Sequence, residues 1–295
     1  MAQTATTGNL ENAERTIIAS ARYTAEHNAP ALALIEHFTL GQGESTLTVP
    51  KVGTMDMSDL TDGQDIVDEE EIGMTTVDLT ASEVGAKVII TDKLSRQLAD
   101  NVFSMIGRQL GDGMARKKDN DVTALYTSTN GGTTFGQDAA NKVMTADNFA
   151  ACIATAKGKK FGSQIYAIHH PFAIWGLLRS ASITPMGTGS GSPMPDGWSA
   201  DLLKNFWTGL RPINGVPLFE DGNISINSTD DAIGFIGNKD CLGVLESVKE
   251  KTERERDASM RATEIVITSD YGVFELDDTR GAPMTYDAAD PSTNE

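Results

Sequence analysis

The sequence predicts an α+β fold in which a long β-hairpin and one long helix precede a mixed insertion and a set of closing strands. Three observations predict it. Alternating apolar and polar residues flank an acidic segment that holds ten acids and no base between residues 53 and 86. Period 2 on both sides of a turn-rich stretch is the mark of a hairpin. Apolar residues then recur at three- and four-residue steps from Leu94 to Leu125, the period of a helix packed along one face. Alternating runs return at residues 262–266 and 271–276 and close the chain with strands.

Taken in order, residues 1–12 are polar and without periodicity, which predicts disorder. Helix-like pieces follow over 13–37, with Ile17, Ile18, Ala21, Leu32, Ile35 and Phe38 as candidate contacts and Pro30 interrupting them. This reads as an extended arm. Residues 46–49 form a strand before Pro50, and Asp62-Gly63 is the clearest turn signal of the acidic segment. Val77 and Leu79 alternate with polar residues, as do Val84, Ala86, Val88 and Ile90. The resulting hairpin has too few apolar side chains for a core of its own, so it needs neighbours.

The helix is predicted over 92–126, with Thr91 or Asp92 as N-cap. Its stripe is Leu94, Leu98, Val102, Met105, Ile106, Leu110, Met114, Val122 and Leu125, with a gap across Lys117 and Lys118. At 1.5 Å per residue it would be roughly 50 Å long. Gly107, Gly111 and Gly113 each cost about 1 kcal/mol relative to Ala in a helix interior, so packing must sustain it, with a kink allowed near Gly111.

A Gly/Thr/Asn-rich break at 128–136 is the best domain boundary. Thr145 caps a helix through 156, residues 164–169 read as a buried strand, and Pro171 starts a second helix at the position proline favours. Residues 182–197 form a flexible Gly/Ser/Pro-rich loop, and 202–207 a short helix. Ile213-Asn214-Gly215-Val216 is a hairpin turn signal. Residues 232–236 and 242–245 are strand-like. Over 248–257 a charged ribbon alternates, with Lys249, Lys251, Glu253, Glu255 and Asp257 on one face and Glu250, Thr252, Arg254 and Arg256 on the other. The tail from Asp278, with Gly281, Pro283 and Pro291, is expected to be loose. There is no internal repeat.

Composition narrows the function. The 295 residues carry a net charge of −18, which argues against a sequence-specific nucleic-acid binder with a basic face. No apolar run approaches the ~18 residues of a membrane span, and residues 1–8 do not resemble a secretory signal, so synthesis in the cytoplasm is expected. Cys152 and Cys241 fit no metal-ligand spacing and read as reduced, partly buried thiols.

No constellation reads as a catalytic, cofactor or metal site. With Gly63 at the glycine position of a calcium loop, Asp62 and Glu69 fall correctly, but Ser58 and Leu60 occupy ligand positions, so a solvated acidic tip is the expected reading. His169-His170 lack the i, i+4 spacing of a helical metal pair and read as hydrogen-bonding side chains. Gly187, Gly189 and Gly191 resemble a phosphate loop, yet Pro193 follows where a helix should begin and no Lys-Ser or Lys-Thr pair follows the glycines, so a mobile loop is expected. No Gly-x-Ser-x-Gly elbow occurs.

The order of these elements carries a resemblance. A loose arm leads to a Val49-Pro50-Lys51 strand, the acidic hairpin, the Val88-Ile89-Ile90-Thr91-Asp92 strand and the long helix. The insertion carries Tyr166-Ala167-Ile168-His169-His170-Pro171 and Ile213-Asn214-Gly215-Val216-Pro217-Leu218-Phe219, and the charged ribbon and closing strands complete the chain. Together they resemble the major capsid proteins of tailed bacteriophages with the Hong Kong 97-type fold, over about residues 17–284. The resemblance implies an N-terminal arm at 1–45, an extended loop at 46–87, a peripheral domain with the spine helix at 88–130 and 247–278, an axial domain at 131–246 and a C-terminal tail at 279–295. It implies a non-enzymatic subunit without cofactor that forms hexamers and pentamers of an icosahedral shell in the virion. Its expected partners are other copies of itself, a portal at one vertex, a cement or decoration protein, and packaged double-stranded DNA held non-specifically. No membrane is implied. Some members carry a scaffolding segment of about a hundred residues before the arm; Met1 favours a separate scaffolding protein here. A nanocompartment shell of the same fold, enclosing cargo enzymes, is the alternative. An enzyme or metal-binding module would need a clustered site.

Some members of the family also join a lysine of the extended loop to an asparagine of a neighbour. Residues 52–86 contain no lysine, and Lys51 and Lys87 stand only at the base, so non-covalent cohesion is expected. Acids between Asp56 and Glu71 against Arg116, Lys117 and Lys118 of a neighbour are the candidate ion pairs.

Overall fold

The computed structural model describes residues 29–41, 43–53, 59, 62, 73–97, 101–135, 143–183 and 214–291. In chain order its elements are α1 (Pro30–Leu34), β1 (Glu36–Thr39), β2 (Thr46–Val52), β3 (Met74–Thr80), β4 (Ser82–Thr91), α2 (Asp92–Gln97) and α3 (Asn101–Leu125). After a tight turn at Thr129–Gly132 come α4 (Ala146–Gly158), β5 (Ile165–His169), α5 (Pro171–Ile183), β6 (Leu218–Glu220), β7 (Asp231–Asn238), β8 (Leu242–Asp257), β9 (Ala262–Glu275) and β10 (Gly281–Asp287).

The strands form a four-stranded sheet in the order β1-β8-β9-β4, a second in the order β10-β7-β5-β6, and the two-stranded hairpin β2-β3. The hairpin is antiparallel from Thr46↔Thr80 to Val52↔Met74. Its two arms are β2 and β3 alone. The next alternating run, β4, leaves the hairpin and pairs antiparallel with β9, from Ser82↔Tyr271 to Thr91↔Ala262.

The long helix follows the predicted stripe. Thr91 Oγ1 accepts from Leu94 N at 3.3 Å and caps α2, and α3 runs unbroken through Gly107, Gly111 and Gly113. Leu98 lies outside the described residues. Met114, Val122 and Tyr126 are buried, and Leu110 and Leu125 pack against the same core. At the gap in the stripe charge is buried: Lys118 is 3% exposed, and Asp119 beside it is fully buried. The Lys118 ammonium reaches Glu246 at 2.9 Å and Glu250 at 3.1 Å and stands 5.3 Å from the centre of the Tyr271 ring. An i, i+4 row of Met114, Lys118, Val122 and Tyr126 therefore faces the first sheet and the core as one strip.

Other local predictions hold. Thr145 Oγ1 accepts from Asn148 N at 3.3 Å and caps α4, which buries Phe149, Cys152, Ile153 and Ala156. Every residue of β5 is buried, and Pro171 opens α5. Asn214 and Gly215 have φ of 51° and 82°, the positive values that an Asn-Gly turn needs. The strand after that turn, β6, runs parallel to β5.

Three readings need correction. Pro30 does not interrupt a helix but starts one, since at the first turn its missing N–H has no partner to lose. The tail from Asp278 is not loose as far as Asp287. β10 pairs with β7 along its whole length and buries Ala282, Met284 and Tyr286, which compensates its polar neighbours. The strand-like run at 242–245 and the charged ribbon are one strand, β8.

The core sits where α3, α4 and the two larger sheets meet. Phe235 is at its centre. Its ring stacks on Tyr126 at 5.0 Å and lies 5.7 Å from Tyr166. Gly237 and Gly281 face each other across β7 and β10, and a Cβ on either would sit about 2.4–2.5 Å from that ring.

Candidate functional site

The hairpin is the part of the chain that the fold leaves without support. Along β2 and β3 only Leu79 is buried, and the far described end pairs Val52 with Met74, which are 57% and 63% exposed. Two apolar side chains opposite each other in solvent make no core of their own. Of the acidic segment beyond them, Asp59 and Asp62 are described and exposed, and the rest of 54–72 lies outside the described residues.

The hairpin's base, by contrast, is fastened. Lys51 Nζ lies 2.5 Å from Asp277 Oδ1, and Asp277 also accepts from Thr279 N at 3.0 Å. Burial would raise the Asp277 carboxyl, but the Lys51 ammonium and the Thr279 donors outweigh it and hold the group low. Lys87 pairs with Glu264 on β9 at 2.8 Å. Gly272 lets the hairpin approach the sheet, since a Cβ there would stand 2.4 Å from the Thr80 carbonyl oxygen. Both lysines at the base therefore have partners within the chain.

Of the three bases expected to meet a neighbour, Lys118 is buried inside the subunit, which corrects that part of the expectation, and Lys117 has a partner on its own helix. Lys117 pairs with Asp121 at 2.5 Å in an i, i+4 contact. Lys118 is buried against Glu246 and Glu250 and has no reach beyond the subunit. The helix period decides this, because a lysine four residues from both Met114 and Val122 must lie on the packed side. The exposed half of β8 carries the alternating charges. Arg256 forms a two-pronged pair with Asp92, its second nitrogen 2.8 Å from Oδ2, and Lys251 pairs with Glu253. The Arg256 guanidinium holds the Asp92 carboxyl below its usual range.

The remaining candidates are structural. Burial pushes the His169 imidazole down to about 4. Its Nε2 lies 3.2 Å from Met284 O, and its Nδ1 accepts from His170 N at 2.9 Å, so Nε2 carries the proton. His170 Nδ1 accepts from Phe172 N at 3.2 Å at the start of α5. The Cys152 thiol, raised to about 11 by burial, contacts Tyr286 Oη at 3.0 Å, and Cys241 is buried as well. Gly187, Gly189 and Gly191 lie outside the described residues. Among the described residues no three His, Cys, Asp or Glu side chains group as a metal site, and no helix is long and apolar enough to cross a membrane. A feature that the sequence did not reveal is a buried pair of acids, Asp119 and Asp221, which only the meeting of α3 with the segment after β6 creates.

No curated protein matches the chain. Among solved structures, the capsid of the cyanophage P-SCSP1u is 17% identical, with a TM-score of 0.66 and 92% of each chain covered. The mature capsid of bacteriophage PhiM1 is 13% identical, with a TM-score of 0.63, covering 90% of this chain and 89% of that one. The holo-SrpI encapsulin complex from Synechococcus elongatus PCC 7942 is 12% identical, with a TM-score of 0.61 and 98% of each chain covered. These likenesses establish a shared α+β fold. A family model described as phage capsid protein matches residues 75–283, more than half of the 295-residue sequence, and the chain belongs to that family.

Proposed function

We propose that the chain is the major capsid protein of a tailed bacteriophage, a Hong Kong 97-type subunit that forms hexamers and pentamers of an icosahedral shell around packaged DNA. The observation that carries this is the coreless hairpin: an ordered two-stranded arm with one buried side chain and an exposed Val52–Met74 end, in a member of the phage capsid family. Such an arm gains stability only by lying across another subunit.

In this reading α3 is the spine helix, and the sheet β1-β8-β9-β4 with α3 forms the peripheral domain. The sheet β10-β7-β5-β6 with α4 and α5 forms the axial domain, now including β10. The subunit acts without catalysis or cofactor. A separate scaffolding protein, a portal at one vertex and a decoration protein are its proposed partners, and it is made in the host cytoplasm. Packaged DNA is contacted non-specifically. The acidic hairpin tip lies away from DNA, because like charges repel.

The encapsulin complex, matched over 98% of each chain, supports a second reading as a nanocompartment shell. Negative-stain microscopy of the expressed protein, alone and with its scaffolding protein, tests the first. Closed shells are the expected result, and monomers under every condition would sink it. Cargo enzymes inside closed shells, without any scaffolding requirement, would favour the second.

A further inference from the structure

Asp119 on α3 and Asp221 after β6 are both fully buried. Asn223 holds the two together. Its backbone N–H donates to Asp221 Oδ1 at 2.8 Å, and its Nδ2 donates to Asp119 Oδ2 at 2.9 Å. From α1, Leu32 N donates to Asp119 Oδ1 at 3.2 Å, and Asp221 N donates to His169 O at 3.0 Å. Asp221 Oδ2 has no donor, and Asn223 ties the two carboxyl groups to each other. Among the described residues no ion pair reaches either acid. Lys118, next in sequence, is turned to Glu246 and Glu250. Two buried carboxylates bridged by one asparagine and without a cation cannot both stay charged, and a buried oxygen without a donor is satisfied by carrying the proton itself.

We propose that Asp119 and Asp221 share one proton, and that this proton clamps α1, α3 and the segment after β6 together, closed in acid and weakened on deprotonation. Burial first, and Asp119 second, push the Asp221 carboxyl up to about 7. The sign follows from linkage. The folded chain keeps a proton that the unfolded chain loses near pH ~4, so the clamp contributes fully below that value and loses strength as pH climbs to about 7.

The other titratable groups around the pair do not offset the change. Tyr126, just past the end of α3, is kept un-ionised by burial first, then by Tyr166 and by both acids. His169 on β5 stays neutral down to about 4. Asp121 on α3 is held by Lys117 and by the Tyr271 hydroxyl at 2.7 Å. On the α1 side, His37 contacts the Leu32 carbonyl oxygen at 2.9 Å and not the acids.

Asp221→Asn is the test, because its amide donates to Asp119 at any pH as the protonated acid does. Thermal unfolding of the full subunit is followed from pH 5 to 8.5. The variant should gain on the wild type steadily as pH rises to about 7 and hold the gain above it. A difference that is constant over the whole range would overturn the shared proton. Should the variant not fold, carbon-13 NMR of wild-type protein labelled only at aspartate gives the answer. A carboxyl signal titrating near pH 7 supports the pair, and none above pH 5.5 overturns it. Both measurements read the subunit itself, so their outcome is separate from whether the chain builds shells.

Discussion

His169 and Phe235 show how much a single side chain decides in this core. The unfolded chain protonates its histidines below about 6.5, whereas folded His169 stays neutral to about 4. Stability therefore falls as pH drops through that window, by up to about 3 kcal/mol. His169→Asn should flatten the thermal midpoint between those two pH values; an unchanged acid slope would refute the assignment. Asp221 acts in the opposite direction over an overlapping range, so the profile of the wild type is the sum of two opposed terms. Phe235 fills the space that Gly237 and Gly281 leave. Phe235→Ala should cost about 3–5 kcal/mol, read as a lower urea midpoint. A loss under 1 kcal/mol would mean the ring is not central to packing.

At the scale of elements, α3 is held by packing against intrinsic preference. A Cβ at Gly107, Gly111 or Gly113 would meet nothing within 4 Å among the described residues. Gly111→Ala should thus stabilise the isolated subunit by about 1 kcal/mol, measured by denaturant unfolding. If it destabilises instead, the helix is bent in solution. Lys118 behaves differently. Removing it leaves Glu246 and Glu250 facing a buried strip, but both are partly solvated, at 19% and 45% side-chain exposure. Lys118→Ala should therefore cost less than the 3–5 kcal/mol of a fully buried pair, about 1–3 kcal/mol. Lys118→Met, which fills the strip with an apolar chain, should recover part of it. Equal losses in both would show that the charge matters and the packing does not.

For the whole molecule, cohesion between copies should be non-covalent. Lys51 and Lys87 are paired within the chain, and Cys152 and Cys241 are buried. Purified particles boiled without reductant should run as one band near 31.5 kDa; a ladder of multimers would refute this. With Lys118 buried and Lys117 paired, contacts between copies should rest more on the exposed Val52–Met74 end and strand pairing than on ion pairs to α3. Assembly should accordingly depend less on salt than a purely electrostatic interface does. Light scattering across a salt series measures it.

The local elements are legible in the amino-acid sequence, because their causes are local. Thr91 and Thr145 cap their helices, Pro171 opens one, Asn214-Gly215 turns the chain, and the spacing from Leu110 to Leu125 sets the packed face of α3. Net charge and the thin apolar content of residues 46–80 made the hairpin legible as an arm. Tertiary structure alone decided which strands pair. β4 leaves the hairpin for β9, β6 runs parallel to β5, and a polar tail becomes β10, since pairing partners lie far apart in sequence and period 2 does not name them. It also decided the fate of buried charge. Lys117 and Lys118 stand as a gap in the stripe, and only the arrival of Glu246 and Glu250 from β8 shows that Lys118 is buried with partners, while Asp119 beside it meets Asn223 from the segment after β6.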